Sequence, residues 1–303
     1  MDALKAALLR GMFQIINLIP VRLAGAIGAG LGRLAFYLDK RHRSISIRNV
    51  TRIYPQQPRS WRTRIARESF AELGRSMLEL PHVFLRSKEF LASRVTVEGE
   101  DELRAALAGN KGVFLAACHH GNWELGALMF SLLGYDIEFF YRPVRQPFVE
   151  AYIRKCRGRF GAKLHPRQEP LRWVMRALKK QSCIGLMIDQ HIGDGIPVPF
   201  LGHMASTLTL PAVMVRKYDA PILGVGLERV GRGFNFSLKI WRVETPAECT
   251  DAESFTYRMT RDIGKSFEPI INLRPEMWLW SHQRWKLLEE REKEISEVVY
   301  GTP

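Results

Sequence analysis

Nothing in this chain has the spacing that paired or metal-bound cysteines require. Its four cysteines, Cys118, Cys156, Cys183 and Cys249, are far apart and form no CxxC pair. A disulfide framework or zinc finger is therefore excluded, and reduced thiols in the cytoplasm are expected. There is also no uninterrupted apolar run of the ~20 residues that a clear spanning helix needs. The apolar segments 11–21 and 23–38 are bounded or broken by Arg10, Arg22 and Arg33. No charged, apolar and cleavage regions succeed one another as in a signal peptide. Internal repeats and low-complexity linkers are absent as well. Acidic residues are scarce relative to basic ones, 31 against 45, which leaves a net charge of +14. Such a chain attracts anionic partners: a phospholipid surface, a phosphorylated glycolipid, an acidic carrier protein or nucleic acid.

With 303 residues, 46% of them hydrophobic, the chain can bury one large core. Residues 60–85 have helical periodicity. From Val95 onward short apolar runs alternate with helix-length stretches, which predicts an α/β fold with a central, mostly parallel sheet flanked by helices. Expected strands are 113–118, 137–141, 184–189, 222–228 and 234–241; expected helices include 147–158, 170–180, 208–218 and 252–272. The division read from this pattern is an N-terminal membrane-anchor region (1–45), an α/β domain (46–290) and a charged C-terminal tail (291–303). Segment 286–298 is expected to be a solvated helix. At the N-terminus, Lys40, Arg41, His42 and Arg43 follow the apolar segment, as fits an interfacial or embedded anchor on anionic lipid. Gly25, Gly28 and Gly32 equally suit close packing of that helix on the protein itself.

The densest chemistry lies at Cys118-His119-His120-Gly121-Asn122-Trp123-Glu124, where an apolar strand turns into a helix. Asn122 is the expected N-cap. A neutral imidazole can take a proton from a hydroxyl, and a nearby carboxylate fixes its tautomer and stabilises the imidazolium. The bend lets Glu124 fold back toward His119, so these two are the candidate catalytic pair. His120 and Glu124 are four apart and would share a helical face if the helix began earlier, so spacing alone leaves either histidine as the base. Cys118 offers a covalent alternative, but it ends an apolar strand and its side chain alternates away from its neighbour.

The string HHGNWE resembles the HxxxxE signature of the lipid A late acyltransferases, and further motifs follow in order. Tyr141-Arg142-Pro143 with Gln146-Pro147 resembles their second motif. Arg154, Arg157 and Arg159 fall where the family has an arginine-rich helix. Asp189-Gln190 and 198–202 (VPFLG) resemble its DQ…VPFFG loop. Residues 275–286, containing Trp278, Trp280, His282, Arg284 and Trp285, resemble its C-terminal signature, and Arg48-Asn49 with Tyr54-Pro55 its early segment. The resemblance covers roughly residues 15 to 286 and favours His119 over His120, a position often apolar or aromatic in the family.

The resemblance implies a glycerolipid acyltransferase-like fold and an O-acyltransferase. Acyl carrier protein would be the donor, and a hydroxyl of a Kdo-bearing lipid A precursor the acceptor. No metal or redox cofactor is implied. The implied location is the cytoplasmic face of a bacterial inner membrane, held by a single N-terminal anchor or peripherally. Arg157 is expected to bind phosphate or a developing oxyanion, Asp189 to position an arginine or the acceptor, and Arg142, Arg159 and Asn122 to support the site. Trp123, Phe140 and Phe200 are candidates for an acyl groove, with Phe139 and Phe148 beside them. Related acyltransferases acting on phosphatidylinositol mannoside, an aminolipid or a lysophospholipid share these motifs. A metal hydrolase built on Asp189, His191 and Asp194 lacks a standard ligand signature, and a nucleic-acid binder lacks a recognisable module.

Overall fold

The computed structural model describes residues 2–246, 249, 251–286 and 290. Four helices come first: α1 (Asp2–Leu18), α2 (Val21–Leu38), α3 (Lys40–Ile53) and α4 (Arg59–Leu85). Next are α5 (Lys88–Ala92), β1 (Val95–Glu98), α6 (Glu100–Ala108), β2 (Val113–Ala117), α7 (Trp123–Leu132) and β3 (Ile137–Tyr141). The middle of the chain forms α8 (Pro147–Arg157), β4 (Lys163–Pro166), α9 (Arg172–Lys179) and β5 (Cys183–Met187), then β6 (Ile196–Phe200) and β7 (His203–Thr207). The last elements are α10 (Leu210–Tyr218), β8 (Ile222–Arg229), β9 (Phe236–Arg242), α11 (Ala252–Lys265), α12 (Glu268–Leu273) and a 3-10 turn at Pro275–Met277.

Seven strands form the central sheet in the order β1-β9-β8-β2-β5-β3-β4. All neighbours are parallel except β8 and β9. The central strands β2 and β5 are buried along nearly their whole length, as expected of parallel strands covered by helices on both faces. Small residues make that cover possible. A Cβ on Gly224 would lie 2.1 Å from the Trp241 ring, and one on Gly185 would lie 2.4 Å from the Phe139 ring. A separate two-stranded hairpin, β6 with β7, carries the VPFLG segment.

The expected mixed architecture is therefore present, and each expected strand is found within two residues of its boundaries. Short β1 and β4, four residues each, lie at the two edges of the sheet, and so brief a run is hard to read as a strand from its pattern alone. The expected helix 252–272 is two helices, α11 and α12. Pro269 sits in the first turn of α12, where its missing N–H costs nothing. The proposed tail, 291–303, lies outside the described residues.

At the N-terminus, α2 is the one helix among the described residues long and apolar enough to cross a membrane. It nevertheless has one face against α4. A Cβ on Gly28 would lie 2.4 Å from the Gly74 carbonyl oxygen, and one on Gly32 would lie 2.0 Å from that of Phe70. Glycines thus let the two backbones touch. The opposite face exposes Leu23, Ile27, Leu31, Leu34 and Leu38, a stripe at helical spacing that water does not favour. Close self-packing and an outward apolar face coexist on the same helix.

Candidate active site

Strand register brings the chemistry together. Ala117 and Met187 are register partners at the ends of parallel β2 and β5. His119 and Asp189 each lie two residues further, side by side beyond the carboxyl edge of the sheet, where open α/β sheets place their sites. His119 Nδ1 is 2.7 Å from Asp189 Oδ1, and the His119 backbone N–H donates to Oδ2 at 2.8 Å. The Trp278 indole N–H also donates to Oδ2, at 2.8 Å. Burial works to raise the Asp189 carboxyl, but the charge of His119 and these three hydrogen bonds outweigh it and bring the group down to about 2. Ionised near neutrality, Asp189 fixes the proton on Nδ1 and leaves Nε2 as the acceptor. The Gln190 amide nitrogen lies 3.4 Å from Nε2, and the Trp123 ring sets an edge against the imidazole with centroids 5.1 Å apart.

The turn carrying His119 is held from several directions. Gly121 has φ of +59°, and a Cβ there would lie 2.3 Å from the Leu227 carbonyl oxygen. Only glycine meets both demands. The Leu279 N–H donates to the His119 carbonyl at 3.1 Å, and the Gly121 N–H to that of Met277 at 3.0 Å. The C-terminal signature therefore pairs directly with the histidine motif. Asn122 caps α7 by accepting from the Leu125 N–H at 3.3 Å, and its amide donates to Glu79 at 3.1 Å. Glu79 is gripped by both terminal nitrogens of Arg229 at 2.8 Å, and the same guanidinium holds Glu72. Breaking such a buried pair by removing one partner is strongly destabilising.

Several expected roles change. Glu124 does not supply the hydrogen bond to His119; Asp189 does. Arg157 holds the Glu124 carboxylate through Nε, at 2.9 Å, and through Nη2. Two donors of Arg157 are thus committed to a protein carboxylate, and Glu124 ties α7 to α8. His120 is fully buried, with its ring nitrogens 3.2 Å from the carbonyl oxygens of Leu227 and Arg274, which makes it a strut behind the turn. Arg159 donates to the carbonyls of Arg86, at 2.6 Å, and Val83, closing the end of α4. Arg142 is exposed at the surface. Cys118 is buried, which pushes its thiol well up and disfavours the thiolate a covalent route needs.

The acyl-groove candidates also separate. Trp123 stays beside His119. Phe200 is completely buried against Trp278 and Trp285, with the Arg284 guanidinium 4.8 Å from its ring centre. Phe140 packs on Trp173, with centroids 4.5 Å apart. Phe200 is a core residue, whereas Phe140 is only half-buried and packs against that core. The conspicuous tryptophans of the C-terminal segment are core as well: Trp278, Trp280 and Trp285 are buried together.

The remaining motifs act as support. Asn49 donates to the carbonyls of Trp280, at 2.9 Å, and His282, at 2.8 Å. Arg284 reaches the Gln190 and Ser206 carbonyls and the Thr207 hydroxyl, which fixes the Asp189-Gln190 loop to the β6–β7 hairpin. His282 Nε2 accepts the His191 N–H at 2.9 Å. Glu79 and Arg229 carry no local sequence signal, and Trp278, though part of the C-terminal signature, gives no sign of its bond to Asp189, because each acts across more than forty positions of chain. Among the described residues no group of three or more His, Cys, Asp or Glu side chains is placed to hold a metal ion.

Fold and site together define an α/β enzyme with a carboxylate-oriented histidine at the carboxyl edge of its central strands. Residues 3–287 match the family described as bacterial lipid A biosynthesis acyltransferase. The chain belongs to the bacterial lipid A biosynthesis acyltransferase family. It is 26% identical over 287 residues to the lipid A biosynthesis lauroyltransferase of Escherichia coli K12, covering 92% of this chain and 90% of that protein. It is 27% identical to the palmitoleoyltransferase of the same organism, over 88% of this chain and 86% of the relative. A phosphatidylinositol mannoside acyltransferase of Mycobacterium tuberculosis is 24% identical over 72% of this chain and 68% of its own length.

Proposed function

We propose that this enzyme transfers a fatty acyl chain from acyl carrier protein to a hydroxyl of a Kdo-bearing lipid A precursor at the inner membrane. The observation that carries the mechanism is the 2.7 Å contact between His119 Nδ1 and Asp189. With Nδ1 protonated and bound, Nε2 removes the proton from the acceptor hydroxyl. The oxygen attacks the thioester carbonyl, forming a tetrahedral intermediate. The C–S bond then breaks, and the imidazolium returns its proton to the departing thiolate. Asp189 stabilises the imidazolium without itself becoming protonated. Glu124 and Arg157 act as positioning residues, holding α7 and α8 at the His119 turn. The reaction so written uses no metal or redox cofactor, and the basic surface complements an acidic carrier.

Transfer of a labelled acyl group in detergent tests this proposal. His119→Ala is expected to lower kcat by roughly 10²- to 10⁴-fold. Asp189→Asn should reduce kcat with little change in KM, and Glu124→Gln should lose less than either. An active His119→Ala would sink the base assignment. Loss confined to Glu124→Gln would return the carboxylate role to that residue. The mannoside acyltransferase relative supports a second acceptor class. Transfer to a phosphatidylinositol mannoside, with none to the Kdo-bearing precursor at any donor chain length, would select it.

A further inference from the structure

A cleft of about 520 Å³ lies between α4, the β8–β9 turn and the segment from Asn272 to Glu276, and none of the His119–Asp189 site lines it. Three carboxylates border it, and each is already held by an arginine. Glu68 is bound by Arg33 at 2.6 Å and by Arg67 at 3.2 Å. Glu72 is bound by Arg229 at 2.9 Å, and Glu276 by Arg274 at 2.8 Å. The remaining lining charge is positive. Arg64 on α4 and Arg232 on the facing turn are exposed and, among the described residues, have no carboxylate partner. Further along α4, Arg75 donates through Nη1 to the Arg232 carbonyl at 3.3 Å, and its buried Nε, 3.5 Å from Glu72, has no hydrogen-bond partner among the described residues.

The wall of the cleft is also the surface on which α2 packs. Arg33 of α2 pairs with Glu68, and a Cβ on Gly28 would lie 3.0 Å from the Arg75 Cα. Near the start of α2, the Arg22 Nε lies 3.6 Å from where a Gly233 Cβ would be. The helix bearing the exposed leucine and isoleucine stripe thus runs beside the arginine cleft. Cationic donors next to a lipid-facing apolar stripe match the two halves of an anionic lipid. Trp61, on the cleft wall, is of the amphipathic type favoured at the headgroup level.

We propose that this cleft binds the phosphate of an anionic membrane lipid whose acyl chains lie along the exposed stripe of α2. Arg64 and Arg232 contact the phosphate from opposite walls, and Arg75 donates from the inner end. The assignment concerns lipid binding alone and does not depend on which hydroxyl is acylated.

The test is sedimentation of the full chain with phosphatidylcholine vesicles, with and without phosphatidylglycerol, at fixed ionic strength. The double variant Arg64→Ala/Arg232→Ala keeps the buried ion pairs intact. Its affinity for phosphatidylglycerol vesicles should fall roughly fivefold for each arginine removed, with binding to phosphatidylcholine alone unchanged. The control Lys179→Ala/Lys180→Ala, which removes equal charge at the exposed end of α9, should change little. An unchanged double variant would overturn the site, and so would an equal loss in the control, which would mean diffuse attraction. Titration with inorganic phosphate gives a further outcome. Phosphate binding lost in the double variant without any vesicle effect would reassign the cleft to a soluble anion and overturn the lipid assignment. Vesicle binding needs no turnover, so failure of acyl transfer and failure of the cleft are read separately.

Discussion

Asp189 is held in a buried position where desolvation is opposed by the charge of His119 and by hydrogen bonds, and these together prevail. This has a consequence for stability. With its carboxyl brought down to about 2 in the fold and near 4 in the unfolded chain, Asp189 stabilises the protein fully above the unfolded value. That contribution is lost as pH falls through the folded value. The expected outcome is that Asp189→Asn is less stable than wild type near neutrality by on the order of 2 kcal/mol. The gap should close between about pH 4 and pH 2. Urea unfolding across this window checks it, and a pH-independent gap would contradict it. The Arg157–Glu124 pair shows the complementary principle: a carboxylate already engaged by a guanidinium is poorly placed to serve a histidine as well.

At the scale of elements, two glycine contacts set geometry that side chains cannot. Gly121→Ala places a Cβ against the Leu227 carbonyl oxygen and forces φ of +59° on an L-residue. It is expected to cost about 1–3 kcal/mol and to lower kcat by displacing His119. Thermal unfolding and the acyl-transfer assay measure both effects, and wild-type values in both would show the turn to be adaptable. Gly74→Val addresses the α2–α4 contact, since a Cβ there would lie 2.2 Å from the Gly28 carbonyl oxygen. Forcing the helices apart should destabilise by about 1–3 kcal/mol and weaken vesicle binding while leaving the His119–Asp189 contact in place. Retained vesicle binding with lowered stability would mean that the apolar stripe acts independently of its seat on α4.

For the whole molecule, buried histidines couple the fold to pH. Burial brings both His82 and His282 down to about 4. His282 accepts the His191 N–H and so must stay neutral; both ring nitrogens of His82 are buried without a partner. Because the unfolded chain takes up their protons near pH 6.5, stability is full above that value. It declines as pH falls toward 4, by on the order of 1–3 kcal/mol for each histidine. The urea midpoint should therefore fall between pH 7 and pH 5. His282→Gln, which retains an acceptor, should flatten part of that fall. A midpoint constant over this range would show that the two sites solvate on protonation.

By itself the sequence determined the α/β layering, the main strands and the family, because apolar period and ordered motifs are local quantities that survive without coordinates. It also singled out His119, Asn122 and Asp189 as site residues, since each ends or follows a recognisable apolar run. Only the tertiary structure decided which carboxylate serves which partner. Glu124 is five residues from His119 and Asp189 is seventy away, yet parallel pairing of β2 with β5 puts the distant one in contact. The same reason explains Phe200 and the tryptophans near Trp278. Their aromatic character is plain in the sequence, but whether an aromatic ring lines a groove or fills a core depends on what other segments bring against it.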